Sequence, residues 1–264
     1  MCREFETVTI ERRDGHVLVV TLNRPESANA LNTQMGLDLM ELFEGLTVDL
    51  EGLRAVILTG QGSKAFCAGG DLKQRDGMTN EAWQAQHLVF ERMLRAILAC
   101  PIPVIAAVNG AAYGGGCEIA AAADFVYAST NARFALTEVT LGIMPGMGGT
   151  QNLPRAVGER RAKELILSGQ PFSAAEAELW GLVNRVLPPE ELLAAALVIA
   201  ERIASNGPLA VRQAKQAVQR GLRMSLADGL AFEIEAYNRL IPTADRSEGV
   251  RAFNERRKPD FRGK

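Results

Sequence analysis

Two glutamates stand in apolar surroundings beside glycine-rich turns. Glu118 lies in VNGAAYGGGCEIA (Val108–Ala120), three residues past Gly115 and next to Cys117, Ile119 and a run of alanines. Glu138 lies in FALTEVTLGIMPGMGGTQNLPR (Phe134–Arg155), ahead of the Pro145-Gly146-Met147-Gly148-Gly149 loop. A carboxylate in such a setting is either paired or poised to move a proton. Taken singly, Glu118 could be a helix cap and Glu138 a surface residue. Two of them together point to general acid–base chemistry.

Glycines supply a second ingredient, approachable backbone N–H groups. Ala68-Gly69-Gly70 carries no bulky side chain, so its amides can come close to a ligand oxygen. Gly114-Gly115-Gly116 leads from a strand pattern into a helix pattern, where the first N–H groups are unpaired and the dipole favours negative charge. The same glycines could merely permit a sharp turn. Amide donors for a carbonyl oxygen, with two carboxyl groups to manage protons, suit reactions that pass through an enolate. Proton removal α to a thioester is one, and water addition to its conjugated double bond is another.

Other chemistries are poorly supplied. The histidines are His16 and His87, both expected to be structural or surface residues. There is no G-x-S-x-G or H-E-x-x-H, and a Ser-His-Asp triad lacks candidates. No metal site is expected, since no two of Cys2, Cys67, Cys100 and Cys117 have metal or redox spacing. Gly60-x-Gly62-x-x-Ala65 formally matches a dinucleotide fingerprint. The following AFCAGGD is poor helix sequence, however, and no acidic residue ends a second strand. A tight turn is expected there instead.

The elements that must position these residues follow from periodicity. Thr7–Arg12 and His16–Leu22 read as a hairpin through Asp14-Gly15, followed by an amphipathic helix from Thr33 to Phe43 or beyond. Arg54–Thr59, Pro103–Val108 and Asp124–Ala128 are apolar strands of the type buried on both faces. Gly60–Asp71 and Leu141–Thr150 read as loops, and Thr79–Ala99 as a long helix capped by Thr79 or Asn80. Phe134–Thr140 is short and mixed. Ser173 caps a helix over Ala174–Trp180, Val183–Leu187 is a last strand, and helices follow over Glu190–Ser205, Pro208–Arg223, Ser225–Leu240 and Asp245–Glu255. The class is α/β, with a core over 1–189 and a helical region over 190–264.

The 264 residues carry 29 Lys+Arg against 31 Asp+Glu, a net charge of −2. That balance argues against a nucleic-acid or membrane-surface partner. The N-terminus shows no signal-like apolar stretch and no run reaches the ~20 residues of a membrane span. Reduced, mostly buried thiols and a cytoplasmic location are expected.

The chain resembles the enoyl-CoA hydratase/isomerase (crotonase) superfamily over essentially its full length. The resemblance is carried, in order, by NRPESANALN (Asn23–Asn32), AFCAGGDLK (Ala65–Lys73), PVIAAVNGAAYGGGCEIA (Pro103–Ala120), ADFVYAS (Ala123–Ser129), Phe134–Arg155 and AFNERRKP (Ala252–Pro259). It implies a spiral of ββα units with a C-terminal helical region used in trimerisation, and trimers paired into hexamers. It also implies oxyanion-hole amides at Gly70 and Gly115, where the family more often has Ala at the first position. Glu118 and Glu138 match the paired glutamates of hydratases. Gly146 would line the pocket, and backbone around Ala28, Ala68, Gly69, Asp71 and Leu72 would hold coenzyme A, which enters as part of the substrate and not as a cofactor. Arg256 falls where the family places a base that reaches a neighbouring subunit's CoA phosphates. LKQRDGMT and ADRSEGVRAFNERRKP are also similar to the methylglutaconyl-CoA hydratase branch. RNA binding, known for some members of that branch, is not implied here, since the matching helix holds only Arg92 and Arg95 as bases. The implied activity is 2-enoyl-CoA hydration in lipid metabolism. A Δ3-Δ2 isomerase is the nearest rival, a ligand- or RNA-binding module that keeps the fold without activity is a second, and a nicotinamide oxidoreductase is the most distant.

Overall fold

A computed structural model describes residues 4–264 of the protein. The chain opens with β1 (Val8–Arg13) and β2 (Val17–Leu22), an antiparallel hairpin through Asp14-Gly15. Both turn residues have positive φ, 47° and 76°, the twist that a tight hairpin requires. Then come α1 (Thr33–Val48), β3 (Ala55–Gly60), β4 (Ala65–Cys67), α2 (Leu72–Arg75) and α3 (Asn80–Ala99). The middle of the chain forms β5 (Val104–Val108), β6 (Ala111–Tyr113), α4 (Gly115–Ala122), β7 (Phe125–Ser129), β8 (Arg133–Ala135), α5 (Gly149–Val157) and α6 (Glu159–Ser168). It ends with β9 (Phe172–Ser173), α7 (Ala174–Leu179), β10 (Arg185–Leu187), α8 (Pro189–Ala204), α9 (Pro208–Gly221), α10 (Leu226–Asn238) and α11 (Ala244–Asn254).

Two sheets result. The larger runs β1-β2-β3-β5-β7-β10 and is parallel from β2 onward; the smaller runs β4-β6-β8-β9. Each winding of the chain adds one long strand to the first sheet and one short strand to the second. This is the expected α/β spiral of ββα units. β4 falls inside a segment that reads as a loop, because three residues are too few to show a period.

Alternation along the strands explains the burial of the large sheet on both faces. Val20, Val56, Leu58 and Ala106 point into a core shared with Leu39 and Phe43 of α1 and Phe90 and Met93 of α3. Val19, Ile57, Ile105 and Ala107 point the other way, against Leu192, Ala196, Ala200 and Ala204 of α8. Those four recur every fourth residue, so they form one stripe, and the alanines let the helix lie close. α8 therefore closes the sheet although it lies beyond residue 189. The helices that leave the sheet are α9–α11.

Caps appear where side chains supply them. Asn32 accepts from Met35 N–H, Thr79 from Ala82 N–H, and Ser173 and Glu176 form a capping box. Cys67, Cys100 and Cys117 are buried free thiols, and Cys2 lies outside the described residues. Among the described residues no single helix is long and apolar enough to cross a membrane.

Candidate active site

The first glycine loop is held by the segment ahead of α1. Ala68 N–H donates to Ala28 O (3.1 Å), Leu31 N–H to Gly69 O (2.7 Å) and Asp71 N–H to Leu31 O (2.8 Å). Gly70 is the residue between these rungs, and among the described residues its own N–H has no backbone acceptor. The second loop is anchored by Gly114 N–H on Ala135 O (2.9 Å). Gly115 then opens α4, so its N–H is one of the orphan donors of a helix start, with no side-chain cap. The two loops lie against each other. A Cβ on Gly69 (φ +90°) would come within 2.8 Å of Tyr113 O, and one on Gly116 would strike the Cys67 carbonyl. Only glycine permits this approach.

Glu118 sits in the first turn of α4 and is 2% exposed. Its Oε1 accepts from Met147 N–H and Gly149 N–H, both at 2.8 Å. The glycine-rich loop thus folds back to hold the carboxylate. Burial pushes the Glu118 pKa up to about 7, with the two amide bonds opposing and the charge of Glu138 adding to the rise. Glu138 begins the single turn Glu138–Leu141 and is also raised, again by burial first. Its own amide and the positive Arg75 oppose that rise. Its Oε2 is buried with no hydrogen-bond partner among the described residues.

Both glutamates face one cavity of about 720 Å³ together with Gly70 and Gly115. Ala68, Gly69, Leu72 and Gly146 line it as well. Ala28 and Asp71 do not. The Ala28 carbonyl is taken by Ala68 N–H, and the Asp71 carboxylate caps α2 and pairs with Arg24 at 2.9 Å. Arg256 lies past α11 with φ 55°, away from the cavity of its own chain. Its neighbour Arg257 is exposed and ion-paired, with Glu248 at 2.5 Å and with Glu255 at 2.6 Å.

His87 is half-buried on α3 and lines the cavity beside the Pro145–Met147 loop, where a Cβ on Gly146 would lie 2.5 Å from its ring. Arg75 and Trp83 line the cavity too and were not singled out by their sequence context. Trp83, His87 and Phe90 recur at i, i+4 and i+7 on α3, a spacing that marks one helix face without saying what the face meets. The bases Arg92 and Arg95 of the same helix are paired with Glu44 and Glu91. Gly60 and Gly62 form the expected turn, since a Cβ on Gly60 would meet the carbonyls of Ala65 and Phe66 at 2.6 Å.

A ββα spiral that turns two unpaired amides, one buried carboxyl group and one half-buried carboxyl group into one cavity defines the crotonase class of enzymes. The enoyl-CoA hydratase/isomerase family model matches residues 12–264, and the chain belongs to that family. It is 44% identical over 255 residues to the short-chain-enoyl-CoA hydratase of Clostridium acetobutylicum, covering 97% of each chain. It is 40% identical over 257 residues to the crotonyl-CoA hydratase of Syntrophomonas wolfei, covering 97% of this chain and 98% of that one. The crystal structure of an enoyl-CoA hydratase from Bacillus anthracis superposes with a TM-score of 0.96 at 44% identity, covering 98% of this chain and all of the other.

Proposed function

We propose that the protein is an enoyl-CoA hydratase, a hydro-lyase that adds water reversibly across the 2,3 double bond of a 2-enoyl-CoA thioester. The observation that carries this reading is the convergence of Glu118 and Glu138 with the Gly70 and Gly115 amides on one cavity. The two amides hold the thioester oxygen as it gains charge. One carboxylate takes a proton from water as its oxygen attacks C3, and the other delivers a proton to C2 of the resulting enolate. Burial, with the charge of Glu138 adding to it, raises the Glu118 pKa to about 7, and burial raises that of Glu138, so the pair is suited to supplying one acid and one base. An isomerase would need only proton transfer. The fixed second carboxylate, with two amides on Glu118, favours a reaction that must also hold water.

The coenzyme A moiety would lie along the Ala68–Leu72 loop, with backbone near Ala28 and Asp71 at its edge and Gly146 near the reacting water. We read 1–189, completed by α8 on its sheet, as the catalytic core, and the helices after α8 in the 190–264 region as those that assemble a homotrimer or a hexamer built from two trimers. The exposed Leu222, Leu226, Leu230 and Ile234 on and beside α9 and α10 support an assembly face. Arg256 would then reach the CoA phosphates of a neighbouring subunit. The buried free thiols suit a reducing compartment such as the cytoplasm. The test is a panel of trans-2-enoyl and trans-3-enoyl thioesters. Hydration of the 2-enoyl members supports the reading, and isomerisation of the 3-enoyl members without hydration overturns it.

A further inference from the structure

The loop that holds Glu118 is itself weakly held. Ile143 N–H donates to Glu138 O (3.2 Å) before it, and Gln151 N–H donates to Gly148 O (2.9 Å) after it. Between those two residues the only backbone N–H groups with an acceptor among the described residues are those of Met147 and Gly149, both on Glu118 Oε1. Residues 141–144, ahead of the loop, are exposed. Hydrogen bonds therefore draw the loop toward α4, and none ties it to the helix on its other side.

That side is closed by packing against α3. A Cβ on Gly146 would lie 2.5 Å from His87 Cε1 and 3.0 Å from Nε2, and one on Gly148 would lie 2.9 Å from Leu94 Cδ2. His87 and Leu94 are seven residues apart, two turns of helix, so they stand on one face. The missing side chains of Gly146 and Gly148 are the seats these two residues occupy. On the inner side, a Cβ on Gly149 would lie 3.0 Å from Glu118 Oε1, and one on Gly115 would lie 2.6 Å from Met147 Cε. α3 thus backs a ribbon whose amides face α4. Leu94 is buried, whereas His87 is half-buried at the cavity wall, and the three atoms nearest a Cβ on Gly146 all belong to its ring.

We propose that His87 is a positioning residue for Glu118: its ring, seated on Gly146, holds the 145–149 loop inward so that the Met147 and Gly149 amides stay on the carboxylate. This rests on the hydratase reading, in which Glu118 handles a proton, and adds a residue that acts through the loop rather than on the substrate. The two amides oppose the rise that burial imposes on the Glu118 pKa, so slackening the loop moves it above about 7. The titratable groups around Glu118, namely Glu138, Cys117 and, facing Glu138, Arg75, are left in place.

His87→Ala and His87→Leu separate packing from chemistry, since leucine nearly matches the volume of imidazole and has no ring nitrogen. With crotonyl-CoA, His87→Ala should lower kcat by about tenfold to a hundredfold, the cost of a misplaced catalytic group, and change KM less than about threefold. The limb of its kcat profile that reports Glu118 should move to higher pH. Hydrogen–deuterium exchange read by mass spectrometry should rise about tenfold or more in the peptide spanning 144–151. His87→Leu should stay near wild type in all three. If His87→Ala does not fold, Gly146→Ala opens the same contact from the other side and should give the same three changes; Gly146 is not among the positive-φ residues, so its backbone accepts alanine. Ile97→Ala, which removes buried volume from the same helix one turn beyond Leu94, should lower the melting temperature and leave profile and exchange unchanged. Unchanged exchange or an unmoved profile in His87→Ala overturns the proposal. So does His87→Leu as impaired as His87→Ala, which would give the ring nitrogens a direct role, and so does Ile97→Ala that reproduces the changes. The exchange arm needs no turnover, so it decides the proposal even where the wild-type protein fails to hydrate crotonyl-CoA and the hydratase reading falls.

Discussion

Replacing Glu118 by Gln should make the protein more stable in alkali while nearly abolishing turnover. Oε1 of the amide can still accept from Met147 and Gly149, so the loop keeps its two anchors. What is lost is a charge that burial resists. Each tenfold change in proton affinity is worth about 1.4 kcal/mol, so moving a carboxyl from 4.5 to about 7 corresponds to about 3 kcal/mol. The sign follows from linkage. Between those values the folded state binds more protons than the unfolded chain, so wild-type stability falls as pH rises through 5 to 8 and levels off above. Glutamine has nothing to titrate. At pH 5 the variant and wild type should melt together, and at pH 8.5 the variant should melt higher. About 2–4 °C per kcal/mol puts the gain at about 6–12 °C as an upper limit. Melting curves at one fixed protomer concentration read this directly, and crotonyl-CoA hydration at the same two pH values should show kcat lowered by about 10² to 10⁴. An identical melting difference at pH 5 and pH 8.5 would refute the argument, as would a variant with near-wild-type hydration.

Glu138→Gln should cost a similar factor in kcat, and Glu118→Gln/Glu138→Gln far less than the product of the two, because the carboxyl groups act as a unit; multiplicative losses in single-turnover assays would show otherwise. Gly115→Pro removes one oxyanion donor and should lower kcat/KM at least ~10²-fold in protein that circular dichroism shows to be folded. Gly116→Ala would drive a methyl into the Cys67 carbonyl and should lose about 3 kcal/mol or fail to fold, which thermal melting would reveal as a drop of several degrees. Arg256→Ala should raise KM about tenfold for a CoA thioester, with kcat spared and with no effect on a pantetheine thioester; equal KM changes for both would place its role in folding or assembly.

The long strands and helices were legible because their burial is regular. RAVILT and PVIAAV read as doubly buried strands, and the α8 stripe lies within the apolar pattern of Glu190–Ser205. The small sheet was not legible, since AFC and AAY obtain their partners only when successive windings stack, and a local window holds no trace of that. The same holds for the site. Glu118, Glu138 and the glycine loops stood out because a charge among apolar residues, or three adjacent glycines, is unusual locally. Arg75, Trp83 and His87 looked ordinary, a base in a basic stretch and two rings on an amphipathic helix. Their role depends on α3 facing the Gly70 loop and the Pro145–Met147 loop across a cavity, which only the tertiary fold decides.

Incubation of the purified protein with crotonyl-CoA in ¹⁸O-labelled water, followed by mass analysis of the thioester, tests the central claim most directly. The account predicts 3-hydroxybutyryl-CoA carrying the label at C3, in the wild-type protein and at least ~10²-fold more slowly in Glu118→Gln. Folded wild-type protein that yields no labelled hydroxyacyl thioester would contradict it, and so would one that only moves the double bond of a 3-enoyl-CoA.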